Sequence, residues 1–120
     1  MDFRNDIRSY IACEIETLNK LDIDAINDAL NLILETHENH KRVFVFGNGG
    51  SSATASHFYN DFVKGLSEDI ANKFRFHCLN DNIPTVMAIA NDIGIEERFR
   101  YQRRGGIEQG DIALAISGRG

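Results

Sequence analysis

A run of glycines and small hydroxyl residues follows a short apolar stretch in "VFVFGNGGSSATASHF", which spans residues 43–58. Glycine permits positive φ angles and a close approach of the backbone, and serine hydroxyls donate hydrogen bonds to anionic oxygens. Such a loop at the start of a helix leaves backbone N–H groups without partners, and these favour a phosphate. We therefore predict an anion site at Gly47, Gly49, Gly50, Ser51 and Ser52, with a tight strand-to-helix turn as the alternative.

Two common phosphate-binding motifs do not fit this loop. It lacks the lysine of GxxxxGK[ST], and Ser52 stands where the dinucleotide fingerprint GxGxxG has its third glycine. Asp81 follows a later apolar run and is placed to imitate the acid that binds a ribose, although its separation from Gly47 exceeds the usual spacing. Nucleotide binding stays open as an alternative that rests on Asp81.

A second group of polar residues follows the loop. His57, Asp61 and Lys64 stand at i, i+4 and i+7, so a helix would place their side chains on one face. A neutral imidazole and a carboxylate at this spacing bind one metal ion, or divide acid and base work between them. Two such ligands do not complete a zinc site, so an ordinary set of surface polar residues is the alternative.

The elements that position these residues alternate between helices and strands. The spacing of apolar residues, together with capping signals, predicts helices over residues 3–20, 24–38, 51–65, 83–92 and 95–104. Short apolar runs predict strands at "RVFVF", at "KFRFHCL" (73–79) and at "DIALAIS" (111–117). Strands that alternate with helices are typical of an α/β sandwich.

Composition and charge narrow the function classes. A length of 120 residues with 42% hydrophobic content suits one domain, residues 1–120. The 13 Lys and Arg against 18 Asp and Glu give a net charge of −5, which disfavours nucleic acid and anionic membranes as partners.

No apolar run is long enough to span a bilayer and no signal peptide is evident, so we expect a cytoplasmic protein. Cys13 and Cys78 lack CxxC spacing and are expected to pack as reduced, small hydrophobic residues.

A basic cluster lies near the end of the last predicted helix. It consists of Arg98, Arg100, Arg103 and Arg104. Cations near a helix C-terminus are stabilised by the helix dipole, by about 0.3 to 1 kcal/mol each, and Gly105 and Gly106 follow where the helix should end. We interpret the cluster as structural, with a phosphate or nucleic-acid patch as the alternative.

Three segments together resemble a known family. "FGNGGSSATASHFYND", followed by "AIANDIG" and then "DIALAIS", resembles the sugar isomerase (SIS) domain family, and within it most closely the sedoheptulose 7-phosphate isomerases. The resemblance covers the whole chain in order and implies a three-layer α/β fold with a central parallel sheet. It also implies a homotetramer, formed partly through the helices of residues 1–40, with active sites between subunits. The implied activity is aldose–ketose isomerisation of a sugar phosphate through an enediol.

The resemblance assigns roles to individual residues. The GNGGS loop and the loop after the third strand would hold the sugar phosphate, while His57 matches the family's first zinc ligand. Asp61 stands where the family has a glutamate that binds zinc and acts as the catalytic base. The expected substrate contacts are Asn48, Gly49, Gly50, Ser51, Asn91, Asp92, Ser117, Gly118 and Arg119.

Three features depart from the family pattern. Asp61 is one methylene shorter than the expected glutamate, and proton abstraction needs heavy atoms within about 2.6 to 3.2 Å. "SGRG" replaces the usual STSGNS, although Arg119 is able to bind phosphate as a bidentate cation. The chain ends at Gly120 inside that loop, so we expect an incomplete α/β core, without the remaining zinc ligands, that does not isomerise a sugar phosphate alone.

A non-catalytic SIS module is the main alternative. It would bind a sugar phosphate or a protein partner, like a related replication-initiation regulator that carries an arginine in the corresponding loop and lacks the catalytic glutamate. Arg119 fits this alternative, whereas His57 with an acid at i+4 favours the enzyme.

Overall fold

The computed structural model describes residues 1–120 and contains five α-helices and three β-strands. In chain order they are α1 (Arg4–Asn19), α2 (Ile23–Glu38), β1 (Val43–Gly47), α3 (Gly50–Asn60), β2 (Phe76–Cys78), α4 (Ile83–Asp92), α5 (Arg98–Arg103) and β3 (Ile112–Ile116). A π-helical turn, Asp61–Gly65, extends α3, and a 3-10 turn, Ile95–Glu97, precedes α5. None of the helices has the length and apolar character that crossing a membrane requires.

The strands form one parallel sheet with β1 at its centre. The order is β2-β1-β3, and Val43 pairs with Phe76 on one side and with Ile112 on the other. Val43, Phe44 and Val45 are all buried, so both faces of the central strand are covered. The predicted α/β fold with a central parallel sheet is confirmed.

The two faces of the sheet pack against different helices, because successive side chains of a strand point to opposite faces. Val43 and Val45 join one apolar cluster with Ile33 of α2 and Ala55 of α3. On the other face, the Phe46 ring packs against Phe99 of α5, with 4.8 Å between ring centroids. The result is the expected three-layer arrangement of helix, sheet and helix.

The second predicted strand and the helix before it are shorter than expected, and a buried serine links the segments between them. The helix predicted over 51–65 ends as an α-helix at Asn60, and the strand predicted over 73–79 contains only Phe76–Cys78. The Ser67 hydroxyl is fully buried and donates to the Phe62 carbonyl at 2.6 Å, just after the π-helical turn. The same hydroxyl accepts the Phe74 N–H at 3.0 Å, which ties the chain before β2 to this turn.

A partly buried ion pair joins β1 and β3 at their amino ends. The Asp111 side chain is only 1% exposed and accepts hydrogen bonds from the Arg42 Nη2 at 2.7 Å and the Arg42 backbone N–H at 2.8 Å. It also accepts the Glu108 N–H at 2.9 Å. These contacts fix the pairing of Val43 with Ile112 at the next position along both strands.

The chain divides into two compact units, residues 1–31 and 32–120. The first unit contains α1, which has no buried residue and leaves an apolar stripe in solvent.

Cys13 is exposed, so the expectation that both cysteines pack as hydrophobic residues is wrong for Cys13, although both thiols are free, as expected. A single domain over residues 1–120 stays a prediction.

Candidate active site

The carboxyl ends of β1 and β3 open onto one cleft of about 730 Å³. The strand order β2-β1-β3 changes direction between these two strands, and ligands of open parallel sheets bind at such a point. All the predicted substrate contacts except Asn91 and Asp92 line this cleft. Its lining residues are Asn48, Gly49, Gly50, Ser51, Thr54, Ile116, Ser117, Gly118 and Arg119.

The turn from β1 into α3 requires glycine at two positions. A Cβ atom on Gly47 would lie 2.6 Å from the Ser51 carbonyl oxygen, so the helix start leaves no room for a side chain. Gly49 has a φ of 54°, in the left-handed region that favours glycine. The tight turn expected as an alternative and the open cleft above it are therefore present together.

Some backbone N–H groups of the loop have hydrogen-bond partners within the chain and others do not. Ser51 donates to the Asn48 carbonyl at 2.9 Å, and Ser52 donates to the Gly49 carbonyl at 3.0 Å. The prediction that the first-turn N–H groups are without partners is therefore wrong for these two serines. The N–H groups of Gly49 and Gly50 donate to no backbone carbonyl, and they remain available to a ligand.

Asn80 holds the start of the loop, a role that the sequence did not reveal. Its Oδ1 accepts the Gly47 N–H at 3.0 Å and its Nδ2 donates to the Gly47 carbonyl at 2.9 Å. The carboxamide thus imitates a peptide group and continues the pairing of β1 beyond the last residue of β2. The only sequence signal is an asparagine directly after the predicted strand of residues 73–79.

Arg98 contacts the loop between β1 and α3 from the face of the sheet on which α5 packs. It is the first residue of α5, so its interpretation as a cation at a helix C-terminus is wrong, whereas Arg100 and Arg103 do lie in the last turn. The Arg98 Nη2 donates to the Asn48 Oδ1, and Nη1 donates to the Ile95 carbonyl. Asn80 and Arg98 therefore position a loop that lies far from them in sequence.

His57 and Asp61 form a pair on α3. Their Nε2 and Oδ1 atoms are 3.6 Å apart, and both side chains are exposed. Because Gly50, Thr54, His57 and Asp61 recur at helical spacing, the pair continues the face of α3 that lines the cleft. Lys64 does not complete the predicted set of three, since the π-helical turn changes the residue spacing and the ammonium binds Glu68 at 3.0 Å.

The geometry of this pair fits two ligands of one metal ion. Tetrahedral zinc with bonds of about 2.0 to 2.2 Å places two of its donors about 3.3 to 3.6 Å apart. The observed distance of 3.6 Å lies at the edge of this range. The chain brings no group of three or more His, Cys, Asp or Glu side chains together, so it offers a zinc ion these two donors.

Three other predicted residues lie outside the cleft. Asn91 and Asp92 end α4 and are exposed, with the Asn91 Nδ2 donating to the Asp92 Oδ1 at 2.7 Å. Asp81 accepts a hydrogen bond from Ser56 and lines a separate cleft with His77. Asp81 and the glycine loop thus line different clefts, and nucleotide binding gains no support.

Comparison with known proteins places this chain beside one group of enzymes. The sequence model described as the SIS domain matches residues 6–120. A phosphoheptose isomerase of Coxiella burnetii is 36% identical over 119 residues, which cover 99% of this chain and 57% of that protein. A phosphoheptose isomerase of Helicobacter pylori is 34% identical over 104 residues, which cover 81% of this chain and 50% of that protein. The chain thus spans about half the length of the curated relatives it matches.

Two solved structures share the fold. A phosphoheptose isomerase from Francisella tularensis superposes with a TM-score of 0.84 at 29% identity, covering 98% of this chain and 62% of that chain. A phosphoheptose isomerase from Neisseria gonorrhoeae superposes with a TM-score of 0.82 at 25% identity, covering 97% of this chain and 61% of that chain. The similarity therefore extends over nearly all of the described residues.

Proposed function

The chain belongs to the SIS domain family, and from this premise we propose that it acts in aldose–ketose isomerisation of a sugar phosphate. The proposed substrate is sedoheptulose 7-phosphate, which is converted to an aldose through an enediol. One observation carries the proposal: the face of α3 that contributes Gly50 and Thr54 to the open cleft also carries, farther along the helix, the exposed pair His57 and Asp61.

The loop end of the cleft suits the phosphate group. No acidic residue lines the cleft, and Arg119 is its one cationic lining residue. A guanidinium group binds phosphate oxygens through two parallel hydrogen bonds. The N–H groups of Gly49 and Gly50 lie at the start of α3, where the helix dipole also favours an anion.

The pair on α3 suits the proton transfer. The Asp61 carboxylate would take a proton from carbon 1 of the ketose and return it to carbon 2, while the proton of the carbon 1 hydroxyl moves to the oxygen on carbon 2. His57 and Asp61 would hold a zinc ion, which supplies Lewis-acid polarisation of the carbonyl when bound. Two donors do not complete such a site, so the remaining ligands would come from outside these 120 residues.

Arg119→Ala is expected to weaken the binding of sedoheptulose 7-phosphate by about 10- to 100-fold, because a charge-assisted contact to phosphate is lost. Isothermal titration calorimetry measures the change. Arg100→Ala is the matched control, since the Arg100 guanidinium binds Glu97 at 2.8 Å and does not line the cleft. An unchanged affinity in Arg119→Ala, or equal binding of sedoheptulose without its phosphate, would contradict the proposal.

A regulatory module that binds without turnover is the second candidate. The shorter acid at Asp61 and the arginine at position 119 favour it. A zinc-loaded form of the protein that binds sedoheptulose 7-phosphate but yields no aldose by NMR would support this candidate over the enzyme.

The proposal includes a homo-oligomer, for which a tetramer is the form expected from the family. Ile7, Ile11, Ile15 and Leu18 form one stripe along α1, and each is at least half exposed. A monomer rarely leaves so continuous an apolar stripe in water. Self-association through this stripe would remove it from solvent.

Ile11→Glu is expected to shift the protein toward a 13.5 kDa monomer in sedimentation velocity at micromolar concentration, because it places a charge within the stripe. Ser9→Glu adds the same charge on the opposite face of α1 and should leave the assembly intact. A wild-type chain that sediments only as a monomer would remove the basis for this part of the proposal.

A further inference from the structure

We propose that Arg98 is a positioning residue of the cleft, which orients the carboxamide of Asn48 so that its amide donors are free to bind a ligand oxygen. The inference rests on the proposed function for its ligand, a sugar phosphate. Arg98 itself does not line the cleft, whereas Asn48 does. Its effect on binding is therefore expected to pass through Asn48.

Hydrogen-bond chemistry determines which end of the Asn48 amide faces Arg98. A guanidinium group has donors and no acceptor, so the atom of Asn48 that it contacts must be the carbonyl oxygen Oδ1. The Nδ2 group and its two donors are then left for other partners. Phosphate and sugar oxygens accept such hydrogen bonds, and Asn48 is among the residues that line the cleft.

Arg98 is itself held in place by the fold. Its Nη1 donates to the Ile95 carbonyl, and its guanidinium lies 4.8 Å from the centroid of the Phe99 ring. Phe99 in turn packs on Phe46 of the central strand. The arginine is half-buried and anchored to the sheet rather than extended into solvent.

This anchoring gives the exposed Asn48 side chain a fixed orientation before a ligand arrives. Without Arg98, the carboxamide would rotate freely, and ligand binding would have to immobilise it. Loss of one orienting hydrogen bond and of this preorganisation weakens binding by about tenfold. The same loss should leave turnover of bound substrate nearly unchanged, because Asn48 lies at the phosphate end of the cleft.

The test compares variants by calorimetry with sedoheptulose 7-phosphate and by NMR of the Asn48 side-chain amide. Arg98→Leu should weaken binding by about tenfold, and Arg98→Lys, which keeps a donor, should recover part of the loss. Arg100→Leu is the matched control on the same helix and should bind like the wild type. In an Asn48→Ala background, Arg98→Leu should cause no further loss, because its effect passes through Asn48.

The NMR readout separates this inference from the proposed function. Arg98→Leu should shift the Asn48 side-chain amide signals without any ligand, and Arg100→Leu should leave them in place. Unmoved signals in Arg98→Leu, unchanged affinity in that variant, or an equal further loss in the Asn48→Ala background would overturn the inference. If the wild type binds no sugar phosphate, the proposed function fails, and the amide signals in ligand-free solution still decide the role of Arg98.

Discussion

Asp61→Asn is expected to lower kcat for aldose–ketose isomerisation by about 10²- to 10⁴-fold, the usual contribution of a general base. Asparagine keeps the shape of the side chain but has no basic oxygen, so it cannot take the proton from the sugar carbon. The affinity for the sugar phosphate should change by less than about threefold, because the proposed phosphate contacts lie in the two loops of the cleft, which does not include Asp61. Steady-state kinetics separate the two effects, on a form of the protein in which the remaining zinc ligands are supplied and zinc is present.

Two variants serve as controls for this result. Lys64→Gln changes a charged neighbour that binds Glu68 instead of His57 or Asp61, and it should leave kcat unchanged. Asp61→Glu introduces the residue expected from the family and should retain activity. A kcat in Asp61→Asn within tenfold of the wild-type value would show that another group is the base.

Asp111→Asn is expected to lower the free energy of unfolding at pH 7 by about 2 to 4 kcal/mol, because it removes the buried carboxylate of a partly buried ion pair. Burial by itself raises the pKa of the Asp111 carboxyl, but hydrogen bonds from Arg42 and from the backbone N–H groups of Glu108 and Arg42 outweigh it and lower that pKa to about 2. Urea denaturation measures the loss. Glu108→Gln is the control, since Glu108 also contacts Arg42, at 3.6 Å, but is 69% exposed and should contribute less than about 1 kcal/mol.

The same ion pair predicts a dependence of stability on pH. The folded-state pKa of Asp111 lies below its ordinary value of 3.8, so the unfolded chain binds this proton first. The stabilisation, about 2 kcal/mol from the linkage relation, is present above about pH 4 and is lost as the pH falls toward 2. The difference in unfolding free energy between wild type and Asp111→Asn should therefore narrow over that range, and a constant difference would contradict this account.

Local sequence patterns predicted the fold well where the structure depends on local contacts. The apolar run "VFVF" became the central strand, and the glycines after it became the turn into α3. The π-helical turn and the short β2 were not predicted, and the buried Ser67 hydroxyl links the chain segments beside them. That hydroxyl binds a carbonyl five residues before it and an N–H seven residues after it, which periodicity cannot report.

In the candidate site, too, the sequence identified the residues that local patterns and the resemblance select, and it missed the roles that depend on distant contacts. The resemblance and the loop chemistry selected Asn48, Gly49, Gly50 and Arg119, which line one cleft because the carboxyl ends of β1 and β3 are neighbours. Asn80 was not singled out, and Arg98 was interpreted as a cation at a helix C-terminus, because they contact the loop across 33 and 50 residues of sequence. Only the packing of β2 and α5 around the central strand brings their side chains to it.

Hydrogen exchange with solvent tests the central claim most directly. The zinc-loaded form of the protein, with the remaining zinc ligands supplied, is incubated with sedoheptulose 7-phosphate in deuterium oxide. The sugar carbons are followed by NMR. A proton transfer through an enediol predicts deuterium at carbon 1 or carbon 2, at a rate that Asp61→Asn lowers by about 10²- to 10⁴-fold. Aldose formation and exchange at the wild-type rate in Asp61→Asn would contradict the account.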